Sequence, residues 1–317
     1  MGLLIDQDIA SRVFLSHYEI QRPVDWSEHY RREAPLEVEI GSGLGEYLVR
    51  LAQTFPGRNF VGIEQEWERV KKICRRIEAV ARGASGQPLE NVKILQIDAA
   101  VAFERLFKPQ SIDRVHCLFP CPWPKKKHVQ HRLFSQHFLK LVNSRVKNQG
   151  TLKLVTDHEP YLKWVLEEIP QTGWDFSSSV IAPQFDTKFE RKWREQGQEK
   201  FFNLELIKKE HVDVALAEDV ELKVYFTKNF EPKNFRVAKV TGKVAIVLKD
   251  FLFDTEQQKG LVHLVVKEES ITQHVWVMIS RIPRGWCIAK MEGQTLLPTQ
   301  GVVQAIEQIY QGVLQSC

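Results

Sequence analysis

Between residues 36 and 169 the hydrophobic pattern switches again and again between a period of two and a period near 3.6, and few folds accommodate that rhythm. LEVEIG (36–41) reads as a strand running into glycines, and EYLVRLAQTF (46–55) carries apolar residues at helical spacing before Pro56. NFVGIE (59–64) predicts a second strand. WERVKKICRRIEAVARG (67–83) predicts a helix with Val70, Ile73, Cys74, Ile77 and Val80 on one face and Gly83 as its stop. VKILQID (92–98) and DRVHCLF (113–119) are a third and fourth strand, with a short helix AFERLF between them. LFSQHFLKLVNSRV (133–146) is a helix, TLKLVT (151–156) a fifth strand and PYLKWVLEEI (160–169) a helix. Strand and helix alternating at this spacing predict βαβ units: the α/β class, a parallel sheet with helices on both faces.

WDFSSSV (174–180) and FFNLELIKK (201–209) add two strands around a loop, PQFDTKFERKWREQGQEK. After about residue 211 the texture changes. VELKVYF, FRVAKV, KVAIVLKDFLF, GLVHLVVKE, HVWVMISRI and GWCIAKM are short alternating segments split by turn residues, closed by a helix, GVVQAIEQIYQGVL. This predicts a small β-rich domain. The expected division is therefore 1–211 and 212–317, which agrees with two domains for 317 residues.

At 43% hydrophobic and 26% charged, the composition is that of a globular protein with a sizeable core. No run of eighteen apolar residues exists, so no membrane span is expected. The start lacks a secretory pattern, and Asp6 stands where a myristoylation signal wants Ser or Thr. Five scattered cysteines (74, 117, 121, 287, 317), odd in number and with no CxxC pair, argue against disulfides and metal and for a reducing cytoplasm. Net charge is only +4, but Arg114 to Thr156 contains no acid, nine Lys/Arg and four His. A run of this length points to a polyanion-binding face rather than to a solvated one. A rigid basic turn, LFPCPWPKKKHVQHRLF (118–134), lies inside it.

EIGSGLGEYL places Gly41, Gly43 and Gly45 between a strand and a helix, where backbone N–H groups can approach a ligand. The dinucleotide form G-x-G-x-x-G needs glycine at 46, and Glu46 stands there. The spacing is that usually met with S-adenosylmethionine. Glu64 ends the second strand, 19 residues after Gly45, where a carboxylate can accept from ribose hydroxyls. Asp98 ends the third, where one can reach an adenine amine. Each alone reads equally well as a solvated or capping residue; their common place at the carboxyl ends of the strands favours a cofactor.

These motifs, with FPCPWPKKKH, VTDHEPY and DTKFER, keep the order and spacing of the bacterial tRNA (guanine-N7)-methyltransferases, which the chain resembles over roughly 35–210. The resemblance implies a Rossmann-like sheet of seven strands, S-adenosylmethionine as cofactor and tRNA as substrate, methylated at guanine 46 of the variable loop. It implies cofactor roles for Glu39, Glu64 and Asp98, and substrate roles for Lys125, Asp157, Thr187, Lys188, Phe189 and Glu190. The β-rich tail is not part of the common pattern. The family's central Asp of the FPDPW turn, a cofactor contact and the proposed active-site residue, is Cys121 here.

Guanine N7 holds a free lone pair and loses no proton on methylation, so no general base is required. Positioning alone supplies roughly 7–11 kcal/mol in such reactions. Losing the Asp therefore removes orientation and electrostatics without abolishing the mechanism, leaving Asp157 and Glu190 to hold the guanine edge. Lys125, Lys126, Lys127, His128 and Arg132 are expected on phosphates, with Trp123 offering a stacking surface or packing the turn. Thr156-x-x-Glu159 and Thr187-x-x-Glu190 also read as capping boxes. Two rivals stand beside this reading: a methyltransferase for another RNA or a small molecule, and a non-catalytic RNA-binding homologue that lost activity with the Asp. Monomer and homodimer are both open.

Overall fold

The chain is seen here as a computed structural model that describes residues 12–83, 88–268 and 271–317. The expectations placed on the first residues, Asp6 included, and on the turn around 84–87 lie outside the described residues. The chain divides into two compact units between Ala217 and Glu218.

The first unit is built on strands β1 (Phe14–Leu15), β2 (Leu36–Ile40), β3 (Asn59–Glu64), β4 (Val92–Gln96), β5 (Ile112–Leu118), β6 (Val146–Thr156), β7 (Trp174–Ile181) and β8 (Phe201–Lys208). Its helices are α1 (Trp26–Tyr30), α2 (Glu46–Thr54), α3 (Trp67–Arg82), α4 (Ala99–Arg105), α5 (Gln136–Arg145), α6 (Glu159–Glu168) and α7 (Lys188–Glu195). The sheet runs β1-β4-β3-β2-β5-β6-β8-β7. The pairs from β1 to β6 are parallel; β8 is antiparallel to both β6 and β7. Every residue of β2 and β3 is buried. The helical stripes close over them: Leu48, Val49 and Ala52 of α2 and Val70, Ile73 and Ile77 of α3 pack with Phe60, Val92 and Ile94. Each such aliphatic side chain contributes about 1.5–3 kcal/mol on burial.

Three elements were not read from the sequence. β1 is two residues long and makes the sheet eight-stranded rather than seven. α1 carries too few residues for a period to show. α7 lies inside the segment expected to be a loop, because only Glu190 of its eight residues is buried and no apolar stripe marks it.

The expected domain boundary at 211 meets a different arrangement at the end of α5. Asn143 accepts from Val212 N–H through Oδ1 (2.9 Å), and Ser144 Oγ accepts from Val214 N–H (3.2 Å). The fully buried Arg145 donates to the carbonyls of Phe103 (2.8 Å), Val214 (2.7 Å) and Ala215 (3.1 Å). Residues 212–217 are thereby tied to the first unit.

The second unit is an antiparallel sheet ordered β10-β11-β12-β13-β9, from β9 (Tyr225–Thr227), β10 (Val244–Asp254), β11 (Lys259–Glu268), β12 (Ile271–Ile282) and β13 (Gly285–Lys290). Helix α8 (Gln300–Leu314) lays Val302, Ala305, Ile306, Ile309 and Val313 against Val262, Leu264, Val275, Val277 and Ile288. FRVAKV forms no strand; Val240 alone bridges to Ile246.

Candidate active site

β2 has β3 on one side and β5 on the other, so the chain leaves β2 in one direction and later returns across it. In an open α/β sheet the crevice at such a switch point is where a ligand fits. The loop after β2 carries three glycines with positive φ: Gly41 (+71°), Gly43 (+56°) and Gly45 (+71°). They differ in what surrounds them. A Cβ on Gly41 would meet nothing within 4 Å and one on Gly43 only the Gly41 carbonyl at 3.9 Å, so these two line an open cradle. A Cβ on Gly45 would fall 2.8 Å from Ile73 Cγ2, so this glycine lets α2 pack on α3.

Two acids of β2 are buried, and their partners differ. Glu37 accepts from His116 Nε2 (2.7 Å) and pairs with Arg58; His116 Nδ1 meets Tyr47 Oη at 3.3 Å. Burial pushes the Glu37 carboxyl up, but His116 and Arg58 outweigh it and hold it below the ordinary value. Burial lowers the His116 pKa, against the opposing pull of Glu37. Glu39 is 4% exposed, and among the described residues its Oε2 has no hydrogen-bond partner. Burial pushes its carboxyl up to about 8, and the nearby Glu64 carboxylate adds to the rise. A buried carboxyl with one oxygen lacking a partner, beside an open cleft, can ionise and become a counter-charge when a cation enters.

Glu64 is also buried, but its oxygens are engaged. Oε2 accepts from Gly43 N–H (2.9 Å) and Oε1 from the N–H groups of Gln65 (2.9 Å) and Glu66 (3.1 Å), which fixes the loop and the start of α3. Asp98 is the N-cap of α4: Oδ1 accepts from Ala100 (2.8 Å) and Val101 (3.3 Å), and Oδ2 from Gln65 Nε2.

The proline turn follows β5, with Phe119 and Trp123 both at positive φ (+55° and +42°). Cys121 is exposed. Trp123 is 37% exposed and groups with His128 (5.7 Å between centroids) and His131 (5.3 Å). Lys125, Lys126 and Lys127 are exposed at the start of a 3-10 turn, Lys126–His131. The rest of the acid-free run does not form one basic face. His116 and Arg145 are buried, Lys147 pairs with Asp113 (2.9 Å), and Lys153 lies 3.6 Å from Glu205. Arg132, expected on phosphates, is also engaged within the protein. Its Nε donates to the Pro122 carbonyl (2.9 Å), and its guanidinium lies over Tyr161 and Trp164.

Asp157 follows β6 directly and is half-buried. The capping box expected at Thr156 is displaced: His158 is the N-cap of α6, with Nδ1 accepting from Tyr161 N–H (3.0 Å), while Thr156 Oγ1 accepts from His158 N–H (3.1 Å). Thr187 does cap α7, its Oγ1 accepting from Glu190 N–H at 3.2 Å. Glu190, expected at the guanine edge, has a different task. It is 1% exposed and accepts from three backbone N–H groups, Gln184 (2.7 Å), Phe185 (3.1 Å) and Asp186. Three amides saturate most of its capacity, so it shapes the approach to α7 rather than facing a ligand.

A cleft partly open to solvent brings the two sets of motifs together, lined by Glu39, Gly41 and Gly43 and by Thr187, Lys188 and Phe189. Glu64, Asp98, Cys121, Lys125 and Asp157 do not line it. Tyr47, Leu118 and Phe119 do, though the sequence reading passed over them. So does Glu46, and its role is specific. It accepts from Lys188 N–H (2.5 Å), Arg191 (2.5 Å) and Arg76 (3.4 Å), so the residue that breaks the dinucleotide pattern joins the glycine loop to α7. Among the described residues no group of His, Cys, Asp and Glu could hold a metal, and no helix is long and apolar enough to cross a membrane.

This sheet, with β8 alone reversed, an open glycine cradle and a buried acid with one oxygen lacking a partner, defines an S-adenosylmethionine-dependent methyltransferase. The donor carries an ammonium and a sulfonium, and the cleft's unpaired carboxylate and space at Gly41 and Gly43 fit such a group. A family model described as a putative methyltransferase matches residues 33–203, more than half of the chain. A protein of Chlorobium phaeobacteroides is 42% identical over 189 residues, 59% of this chain and 89% of that one. One of Thermotoga maritima is 35% identical over 183 residues, 56% of either chain; one of Chlamydia caviae is 30% identical over 201 residues, 62% of this chain and 86% of that one. All three are tRNA (guanine-N(7)-)-methyltransferases, and the present chain belongs to that family. The unit 218–317 lies beyond the residues that the family model matches.

Proposed function

We propose that the chain methylates N7 of a guanine in tRNA, at position 46 of the variable loop, with S-adenosylmethionine as donor. The observation that carries this reading is the shared cleft: Glu39, Gly41 and Gly43 face Thr187, Lys188 and Phe189, so donor and base would meet between them. The donor supplies an electrophilic methyl on a cationic sulfur. The N7 lone pair forms the new N–CH₃ bond as the C–S bond breaks toward sulfur, and no proton moves.

The protein's task is then placement. Glu39 pairs with a cationic group of the donor, and Gly41 and Gly43 let the backbone approach it. Glu64 and Asp98 keep lone pairs beyond their backbone bonds and accept from the donor's hydroxyl and amine groups. Gly45 contributes by close packing of α2 on α3. Lys125 and its two neighbours hold phosphates, and Trp123 offers its face to a base. Asp157, half-buried where the chain leaves β6 and outside the cleft's lining, is the carboxylate we assign to the guanine's N–H edge, where it would balance the developing positive charge. Cys121 acts as a small turn residue through its backbone. Lys188 and Phe189 close the cleft from the side of α7, held by Thr187 and Glu190.

Transfer of labelled methyl from S-adenosylmethionine to unmodified tRNA, with the product nucleoside identified, tests this directly. N7-methylguanosine is expected, and none on tRNA carrying adenine at position 46. Methylation that survives the change would reassign the position. RNA binding without any transfer would make the chain a binding homologue.

A further inference from the structure

We infer that Arg132 is a positioning residue that clamps the proline turn in its active shape, rather than one of the cations that hold the RNA. The inference rests on the activity proposed above for its catalytic readout, but the geometry stands on its own. The turn 119–124 has two non-glycine residues at positive φ, Phe119 and Trp123, a conformation that surroundings must enforce. Arg132 Nε donates to the Pro122 carbonyl at 2.9 Å, and Nη2 lies 3.4 Å from the carbonyl of Trp123 itself. Prolines 120, 122 and 124 offer no N–H, which leaves the turn few donors of its own, and Arg132 supplies one to the part-buried Pro122 carbonyl.

The guanidinium is held in turn from the other side. It lies over Trp164 at 5.1 Å and Tyr161 at 5.7 Å, two rings of α6 that stack on each other at 26°. Tyr161 is fully buried, so this support is rigid. Asp157 and His158 alone separate β6 from α6. Arg132 thus fastens the turn bearing Cys121 and Trp123 to the element that starts beside Asp157. Its plane fits this task and its charge is secondary: a lysine could give one hydrogen bond, but neither the fork nor the flat stacking face. Lys125, Lys126 and Lys127 lie on the exposed side of the same turn, so the segment divides its cations between outward charge and inward fixation.

The two roles separate in the salt dependence of RNA binding. A phosphate contact contributes about 0.7–0.9 to the slope of log K against log salt, and a positioning residue contributes nothing. Arg132→Met and Trp164→Leu are each to be compared with Lys126→Gln. For both clamp variants we expect an unchanged salt slope and kcat lower by on the order of ten- to a hundredfold, as misplacement by about 1 Å produces. Lys126→Gln should flatten the slope instead. Arg132→Lys should not restore kcat.

Limited tryptic cleavage after Lys125–Lys127 gives a readout independent of activity. It should accelerate in both clamp variants while the melting temperature of the whole chain moves little. A slope reduced by about one charge in Arg132→Met, with wild-type cleavage, would overturn the clamp. Should the wild type transfer no methyl to tRNA, the functional reading fails, and the cleavage and slope measurements still decide the role of Arg132.

Discussion

Glu39, through its proposed pairing with the donor, would couple donor binding to a proton. Its carboxyl titrates near 8 because it is buried beside Glu64 with one oxygen unpaired. At pH 7 it is about 90% protonated in the free protein, and it must ionise to pair with a cation. Binding should release about 0.9 proton at pH 7, and the Kd for S-adenosylmethionine should rise about ninefold between pH 7 and pH 6. Calorimetry in buffers of different ionisation enthalpy reads both quantities. Glu39→Gln removes the proton, so it should bind weakly with little pH dependence and no buffer-dependent heat. The same shift sets a stability cost. The folded value lies above the unfolded 4.5, so stability falls as pH rises from 4.5 through 8. At pH 7 the cost is about 3 kcal/mol, from 2.5 pH units at about 1.36 kcal/mol each. Glu39→Gln should therefore melt higher than the wild type in the absence of donor. Equal Kd values at pH 6 and pH 7 with no proton release would refute the argument, as would a variant that melts lower.

Three further outcomes follow from other contacts. Glu46→Gln loses the charge that holds Lys188 N–H and Arg191, each such bond being worth roughly 1.5–3 kcal/mol; hydrogen exchange over Lys188–Glu195 should quicken by about tenfold or more while the sheet amides stay protected. His116 is buried with its pKa below the ordinary 6.5, so the unfolded chain takes the proton first and stability falls as pH drops through about 6.5. The urea midpoint should follow this, and His116→Gln should flatten it between pH 6.5 and 5. Gly45→Val meets both positive φ and a Cβ placed 2.8 Å from Ile73, and should lower stability by about 2–4 kcal/mol, read by chemical denaturation.

Where the sequence was informative, it was so through periodicity. α3 was legible because Val70, Ile73, Cys74 and Ile77 recur at helical spacing, and the glycines were legible because they stand between strand and helix. β2 misleads by the same logic. LEVEI alternates apolar and acidic residues, the pattern of a half-exposed strand, yet all five residues are buried. A central parallel strand is covered on both faces, and its acids survive there because Glu37 finds His116 and Arg58 and Glu39 faces the cleft. Partners from other strands are invisible in a local window. For that reason the acid-free run looked like one surface, although Arg145 and His116 lie inside the core. α7 was left in a loop although Thr187-x-x-Glu190 read as a capping box, because its one buried residue is the charged Glu190 and one of its anchors, the Glu46 carboxylate, lies some 140 residues away.

The stitching at Arg145 fixes when the first unit can finish folding during synthesis. Two of the acceptors of its guanidinium, Val214 and Ala215, come after the last strand of that unit. A nascent chain that has emerged only as far as β8 has every strand of the sheet but leaves a buried cation with part of its coordination missing, a deficit of about 1–3 kcal/mol or more. A chain cut after His211 inherits that deficit permanently, whereas one cut after Ala217 does not. The short segment 212–217 therefore belongs to the maturation of the methyltransferase unit, and a boundary drawn by strands alone falls six residues too early.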